Sequence, residues 1–179
     1  MADFIKHNRT FAACALAAVI ILSIFLGANR SVASLRSSVL KLYSGGADGY
    51  GVPEEDVLRM AGYAEQLYAL ADSHGCSDGG FEAALNELKD CARDPMKVGE
   101  ALNKMYSSAS VSYNKMNASG ADETAKNSAR SYFYEITSVK MRLANNEKYN
   151  SAAKKYNGAL SAPLSILVIG SRSEAAVFG

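Results

Sequence analysis

A run of eighteen uncharged, mostly apolar residues, Phe11 to Ala28, constrains the fold of this chain more than any other feature. In a helix with a rise of ~1.5 Å per residue the run extends ~27 Å, close to the ~30 Å hydrocarbon core of a bilayer. Basic residues flank it on both sides, with Arg9 before it and Arg30 after it. The run therefore predicts one transmembrane helix and a single-pass protein of the cell membrane.

A cleaved signal peptide is the alternative interpretation of this run. Residues 11–26 would then be the apolar core of the signal, and Ala28 a possible cleavage position. The apolar stretch is longer than the ~7–15 residues usual for a signal, and bulky Leu26 lies where cleavage requires a small residue. We therefore favour an anchor. The basic residues are too evenly balanced for the positive-inside rule, so the side of the membrane that holds the C-terminal domain is left open.

The charge of the remaining chain excludes one class of partner. From Arg30 onward there are seventeen basic and seventeen acidic residues, so the domain lacks the positive footprint of a nucleic-acid-binding protein. Acidic residues concentrate in 48–100 and basic residues in 126–155. We interpret this as acidic helices that pack against a basic helix. Contact of the basic segment with anionic lipid is the alternative.

Apolar residues recur at three- and four-residue steps along most of the chain, which is the helical period. The anchor helix is expected to continue to Tyr43 and to end in the glycine-rich stretch 44–51. Further helices are predicted from Pro53, from Phe81, from Pro95 and over 122–161. The prediction is an all-α protein in which a transmembrane helix is followed by an antiparallel bundle of three to four helices with coiled-coil-like seams.

These patterns divide the chain into four parts. They are a short N-terminal tail (1–10), the transmembrane helix (11–28), the helical bundle (29–162) and a C-terminal tail (163–179). The helical seam has ended by Pro163, and the last residues are small or polar. Arg172 to Gly179 are therefore expected to be dispensable for the fold, so that truncation after Gly170 leaves the stability nearly unchanged.

A repeated dipeptide marks the last predicted helix. Tyr149-Asn150 and Tyr156-Asn157 are seven residues apart, so they share one helix face two turns apart. They continue the apolar seam of that helix. A buried asparagine can fix the register of packed helices, because its amide is satisfied in only one arrangement. These four residues are therefore a candidate packing or interaction motif. The alternative, that the asparagines face solvent, stays open from the spacing alone.

The same stretch resembles the LemA family of bacterial membrane proteins. The resemblance is carried by EKYNSAAKKYNGALSAPLS at 147–165, by SLRSSV at 34–39 after the anchor, and by AGYA at 61–64, and it extends over roughly residues 10–165. The acidic VPEEDVLRM at 52–60 departs from the family, which has a hydrophobic segment there. The resemblance implies a divergent member: a bacterial single-pass membrane protein with a helical bundle and without an established enzyme activity.

Residues typical of catalysis or metal binding are sparse. His74 and Cys76, with Asp78 and Cys91 farther along, lack the paired spacing of a structural zinc site. The chain has no recognisable nucleophile or acid–base arrangement. We therefore predict no catalytic residue, no cofactor and no metal. Whether Cys76 and Cys91 pair is left open.

The function expected from these features is that of a structural or protein-interaction module on a membrane anchor. Its partners would be the lipid bilayer and either another protein or a second copy of the chain. The alternative is a ligand-sensing helical bundle coupled to the anchor. This alternative is less favoured, because the apolar run at 164–169 is too short to be a second membrane span.

Overall fold

The computed structural model describes residues 2–162 and 173–179, and within them the chain forms helices and no strand. The six helices are α1 (Ala2–Gly45), α2 (Pro53–Ser73), α3 (Phe81–Cys91), α4 (Val98–Ala118), α5 (Glu123–Ala144) and α6 (Glu147–Leu160). An all-α protein with a long apolar N-terminal helix and a packed helical bundle is thereby confirmed. Residues 163–172, the first part of the predicted C-terminal tail, lie outside the described residues.

Helix α1 has two parts with different surroundings. Its apolar part is uncovered, with Phe11 74% and Leu26 59% exposed. Its second part packs against α6 and α2 and buries Val32, Val39 and Tyr43. The expected continuation of the anchor helix to Tyr43 is confirmed. Residues 2–10, which the sequence assigns to the short N-terminal tail, form its first turns. In the described part of the chain, α1 is the one helix long and apolar enough to span a membrane.

The glycine-rich stretch ends α1 as expected. Gly46 and Gly49 have φ angles of 67° and 81°, a region that side chains with a Cβ disfavour, so the chain reverses here without steric strain. Pro53 then starts α2, where its missing N–H costs no helical hydrogen bond. Helix α3 buries Phe81, and both of these helix starts agree with the sequence prediction.

Helix α4 begins three residues later than expected. After Asp94 the chain makes a turn, in which the Asp94 side chain accepts a hydrogen bond from the N–H of Met96 at 2.9 Å. The Asp94 carbonyl then accepts from the N–H of Val98, where the regular helix begins. The residues that recur at three- and four-residue steps along this helix are all buried: Val98, Leu102, Met105, Ala109, Ser112 and Met116.

The prediction of a single helix over 122–161 is wrong. The chain breaks at Asn145 and Asn146 into α5 and α6. The Asn146 side chain accepts a hydrogen bond from the N–H of Tyr149 at 3.1 Å, and its amide donates to the carbonyl of Gly51 at 3.2 Å. An asparagine that bonds nearby backbone favours a helix start over a helix interior. This break lets α6 turn away from α5 and pack against α1.

One ion pair connects the acidic and the basic regions of the chain. Arg142 on α5 donates to the Asp56 carboxylate on α2 through two guanidinium nitrogens, at 3.1 and 3.3 Å. The Asp56 side chain is only 10% exposed, whereas that of Arg142 is 42% exposed. This pair agrees with the interpretation that acidic helices pack against a basic one.

Candidate functional site: the tyrosine–asparagine clamp

The two Tyr-Asn pairs lie at the junction of α1, α6 and the end of the chain. Both tyrosine rings are buried, and Asn150 is 5% exposed, whereas Asn157 is partly buried. The alternative in which the asparagines face solvent is therefore wrong for Asn150. We call Tyr149, Asn150, Tyr156 and Asn157 the YN clamp, because all four side chains hold one extended piece of chain. That piece is residues 173–179, the C-terminal segment.

Each Tyr-Asn pair binds the segment in the same way. The Tyr156 hydroxyl donates to the carbonyl of Ser173 at 3.3 Å, and Asn157 accepts from the N–H of Ala175 at 2.8 Å. The Tyr149 hydroxyl donates to the carbonyl of Ala176 at 2.9 Å, and Asn150 accepts from the N–H of Phe178 at 2.9 Å. In both pairs, tyrosine binds a carbonyl and asparagine binds the N–H two residues farther on.

The spacing of the repeat explains this match. Seven helical residues rise ~10.5 Å, and three residues of extended chain span ~10 Å. The two contact points on the segment, Ser173 and Ala176, are three residues apart. A seven-residue helical repeat thus coincides with a three-residue step of the segment. The segment runs against the direction of α6, because the later pair in α6 holds its earlier residues.

The two asparagines differ in what else they bind. The Asn157 amide also donates to the carbonyl of Ala175 at 2.9 Å, so this side chain holds both backbone groups of one residue. The Asn150 amide instead donates to the carbonyls of Leu143 and Ala144, at 3.0 and 3.1 Å. These carbonyls lie at the end of α5, where the helical hydrogen-bond pattern stops, and that of Leu143 also accepts from the N–H of Asn146 at 3.2 Å. Asn150 therefore joins the end of α5, α6 and the C-terminal segment.

The start of α4 forms the other wall of the groove. The N–H of Ala176 donates to the carbonyl of Pro95 at 2.7 Å. A Cβ on Gly99 would lie 3.0 Å from the Cβ of Ala176, which is closer than nine in ten Cβ contacts, so the segment would have to shift by a few tenths of an ångström. Glycine at 99 therefore allows the segment to approach the helix closely, and only a small residue fits opposite it.

Aromatic stacking holds the end of the segment. The Phe178 ring lies against Tyr149 with ring centroids 5.4 Å apart, and Tyr149 in turn contacts Tyr43 of α1 at 5.7 Å. The Tyr43 hydroxyl donates to the carbonyl of Ala92 at 2.5 Å. Burial raises the pKa of both the Tyr43 and the Tyr149 phenols well above their ordinary value. Both hydroxyls therefore stay neutral hydrogen-bond donors at physiological pH.

These contacts show that residues 173–179 are docked, contrary to the undocked tail expected for Arg172–Gly179, of which Arg172 lies outside the described residues. Ala175 is buried, and Ala176, Val177 and Phe178 are partly buried against the core. The sequence signal for docking was weak, because the segment has no helical or strand period. The Tyr-Asn repeat itself is a signal for a docked partner, because its polar groups need hydrogen-bond partners when they are buried.

The other residues considered from the sequence lie apart from the clamp. The Nδ1 atom of His74 lies 2.9 Å from the carbonyl of Leu70 and 3.0 Å from the Ser73 hydroxyl, at the end of α2. Cys76 is buried, Cys91 is partly buried, and both are free thiols. In the described residues no three His, Cys, Asp or Glu side chains are grouped to hold a metal ion.

Comparison with known proteins gives no assignment: no family model, no curated protein and no solved structure matches this chain.

Proposed function

We propose that the protein is a membrane-anchored helical bundle that acts as a structural or protein-interaction module and catalyses no reaction. The observation that carries this proposal is the division of α1. One continuous helix has an uncovered apolar part and a second part that is built into the bundle core. An exposed apolar surface of this length is stable in lipid and costly in water.

The continuity of α1 supports an anchor over a cleaved signal. The helix runs through Ala28, the possible cleavage position, and buries Val32 one turn later. A rigid helix that joins the membrane to the bundle fixes the height and orientation of the domain above the bilayer. This arrangement suits a protein that presents a binding surface.

The clamp supports binding rather than catalysis. Its tyrosine and asparagine side chains are engaged with backbone groups of the same chain, and none of them is a strong acid, base or nucleophile at neutral pH. Kinship with the LemA family of bacterial membrane proteins is part of the proposal, and it rests on the Tyr-Asn repeat and on the order of anchor and helices. The alternative remains a bundle that senses a small molecule.

Membrane extraction and crosslinking test the proposal. We expect the full chain to stay in the membrane pellet after alkaline carbonate treatment, with an intact N-terminus. Lysine-reactive crosslinking of intact membranes should then yield a discrete larger species that contains the chain. A mature N-terminus at Asn29 would refute the anchor. A chain that never crosslinks, but whose melting temperature rises with a small-molecule extract, would favour the sensor.

A further inference from the structure

We propose that the groove between α6 and the start of α4 is a peptide-binding site, whose ligand is an extended segment of another protein. The segment has the pattern small–small–any–aromatic, and residues 173–179 of this chain occupy the same site in cis. The inference rests on the proposed interaction function and names the chemistry of the partner.

Because the clamp binds backbone groups, another peptide could occupy the same site. The five hydrogen bonds between the clamp and the segment all go to backbone N–H or C=O groups, at Ser173, Ala175, Ala176 and Phe178. A sixth joins the N–H of Ala176 to Pro95. Any extended peptide carries these groups at the same spacing, provided that proline is absent from the donating positions. The clamp therefore reads an extended main chain rather than one particular sequence.

The walls of the groove restrict the side chains of the bound segment at two places. The close approach at Gly99 admits a small residue at the position of Ala176, and the buried neighbour Ala175 also has little room. Two residues later, the ring of Tyr149 stacks with Phe178. Stacked aromatic rings contribute stability beyond the area that they bury. These two requirements define the small–small–any–aromatic pattern.

The charge beside the segment favours a different residue at the position of Glu174. Among the described residues, Glu174 borders a cavity of about 1070 Å³ whose other charged lining residues are Glu87, Asp90, Asp94, Lys97 and Glu100. Lys104 pairs with two of these carboxylates, at 3.0 and 2.9 Å, and the lining still keeps a negative excess. A basic residue at the position of Glu174 would exchange repulsion for attraction.

Unfilled space at the other end supports the same conclusion. A second cavity of about 240 Å³ adjoins Val177, Phe178 and Gly179, and Leu102 and Lys140 also line it. A ligand that carries a larger residue at the aromatic position would fill this space. A partner segment that fills this space would gain contacts that the cis segment does not make.

Peptide binding to the full chain in detergent micelles tests the inference. The receptor carries Phe178→Ala, which weakens the cis occupant and leaves the groove walls intact. The probe is a fluorescent peptide of residues 173–179, SEAAVFG. We expect the variant to bind it at least tenfold tighter than the unmodified chain, because a weaker competitor leaves more free site. The same peptide with Glu174→Lys should bind several-fold tighter still, with an advantage that shrinks in high salt.

Matched controls separate specific from general binding. A peptide with Ala176→Leu should bind at least tenfold more weakly, and Asn157→Ala in the receptor should weaken the binding of every peptide. Should Phe178→Ala lower the stability of the receptor, added peptide must raise its melting temperature. A receptor that shows neither binding nor a thermal shift overturns the inference, and so does equal binding of the Leu peptide. The membrane crosslinking described above tests the proposed function separately, because a partner on another face would still crosslink.

Discussion

Replacement of Asn150 gives the sharpest test of the clamp. Its side chain is buried and makes three hydrogen bonds: to the carbonyls of Leu143 and Ala144, and from the N–H of Phe178. A typical hydrogen bond contributes ~0.5–1.5 kcal/mol, and a buried group left without a partner costs ~1–3 kcal/mol. Water can reach part of the space left by the side chain. We therefore expect Asn150→Ala to lower the free energy of unfolding by about 3 kcal/mol.

Asn157→Ala is the matched control, because it removes the same group from the same helix face. Asn157 is only partly buried, and its two bonds both go to Ala175 of the segment. Since water can replace these bonds, we expect a loss of about 1 kcal/mol. Urea unfolding of the full chain in micelles, followed by circular dichroism at 222 nm, measures both variants. Near-ultraviolet circular dichroism adds a report on tyrosine packing, since the chain has ten tyrosines and no tryptophan.

Asn150→Asp extends the test to pH. The new carboxylate would be buried and would face two carbonyl oxygens, so its folded pKa should rise above the ordinary ~3.9. The folded state then binds the proton more tightly than the unfolded state does. Relative to the unmodified chain at each pH, the variant should be least stable at neutral pH and should recover as the pH falls through the raised pKa. Equal costs for the two alanine variants, or a pH-independent Asp variant, would refute the assignment of Asn150 as a buried junction.

Three further predictions concern the segment and its walls. Truncation after Gly170 should lower the free energy of unfolding by about 2 kcal/mol, because the loss of hydrogen bonds is offset in part by the regained chain entropy. An unchanged melting temperature would show that the segment is not docked. Tyr149→Phe should cost about 1 kcal/mol and Tyr149→Ala about 3–5 kcal/mol in urea unfolding, whereas equal costs would mean that the ring contributes no packing. Gly62→Ala adds a methyl group into open space in α2 and should stabilise the protein by about 0.5–1 kcal/mol. Gly99→Ala should lack this gain, because the new methyl group meets Ala176. Equal thermal shifts of the two variants would show that the segment does not lie against Gly99.

The division of the chain into helices could be read from the sequence wherever a local rule decides it. The apolar run and its length indicate a membrane-spanning helix, the glycines of 44–51 end α1, and Pro53 starts α2. These signals act over a few residues and depend little on distant contacts. The helical period also identified the buried seam of α4, because one face of a helix must lie against the core.

The break between α5 and α6 could not be read with the same ease. The seam continues across Asn146 with helical spacing, so the period alone favours one long helix. The break depends on the distant residue Gly51, whose carbonyl accepts a hydrogen bond from the Asn146 amide. It also depends on the packing of α6 against α1. Tertiary contacts of this kind override a local preference.

The sequence by itself determined that this protein is helical, carries a candidate membrane span and repeats a Tyr-Asn pair at a seven-residue spacing. Only the tertiary structure decided what the repeat is for. Its partner is residues 173–179, a short segment without any period of its own, which is fixed by backbone hydrogen bonds to side chains. Backbone groups are the same in every sequence, so the amino-acid sequence of the segment hardly indicates that it makes this contact. The match between a helical rise and an extended step becomes visible only in three dimensions.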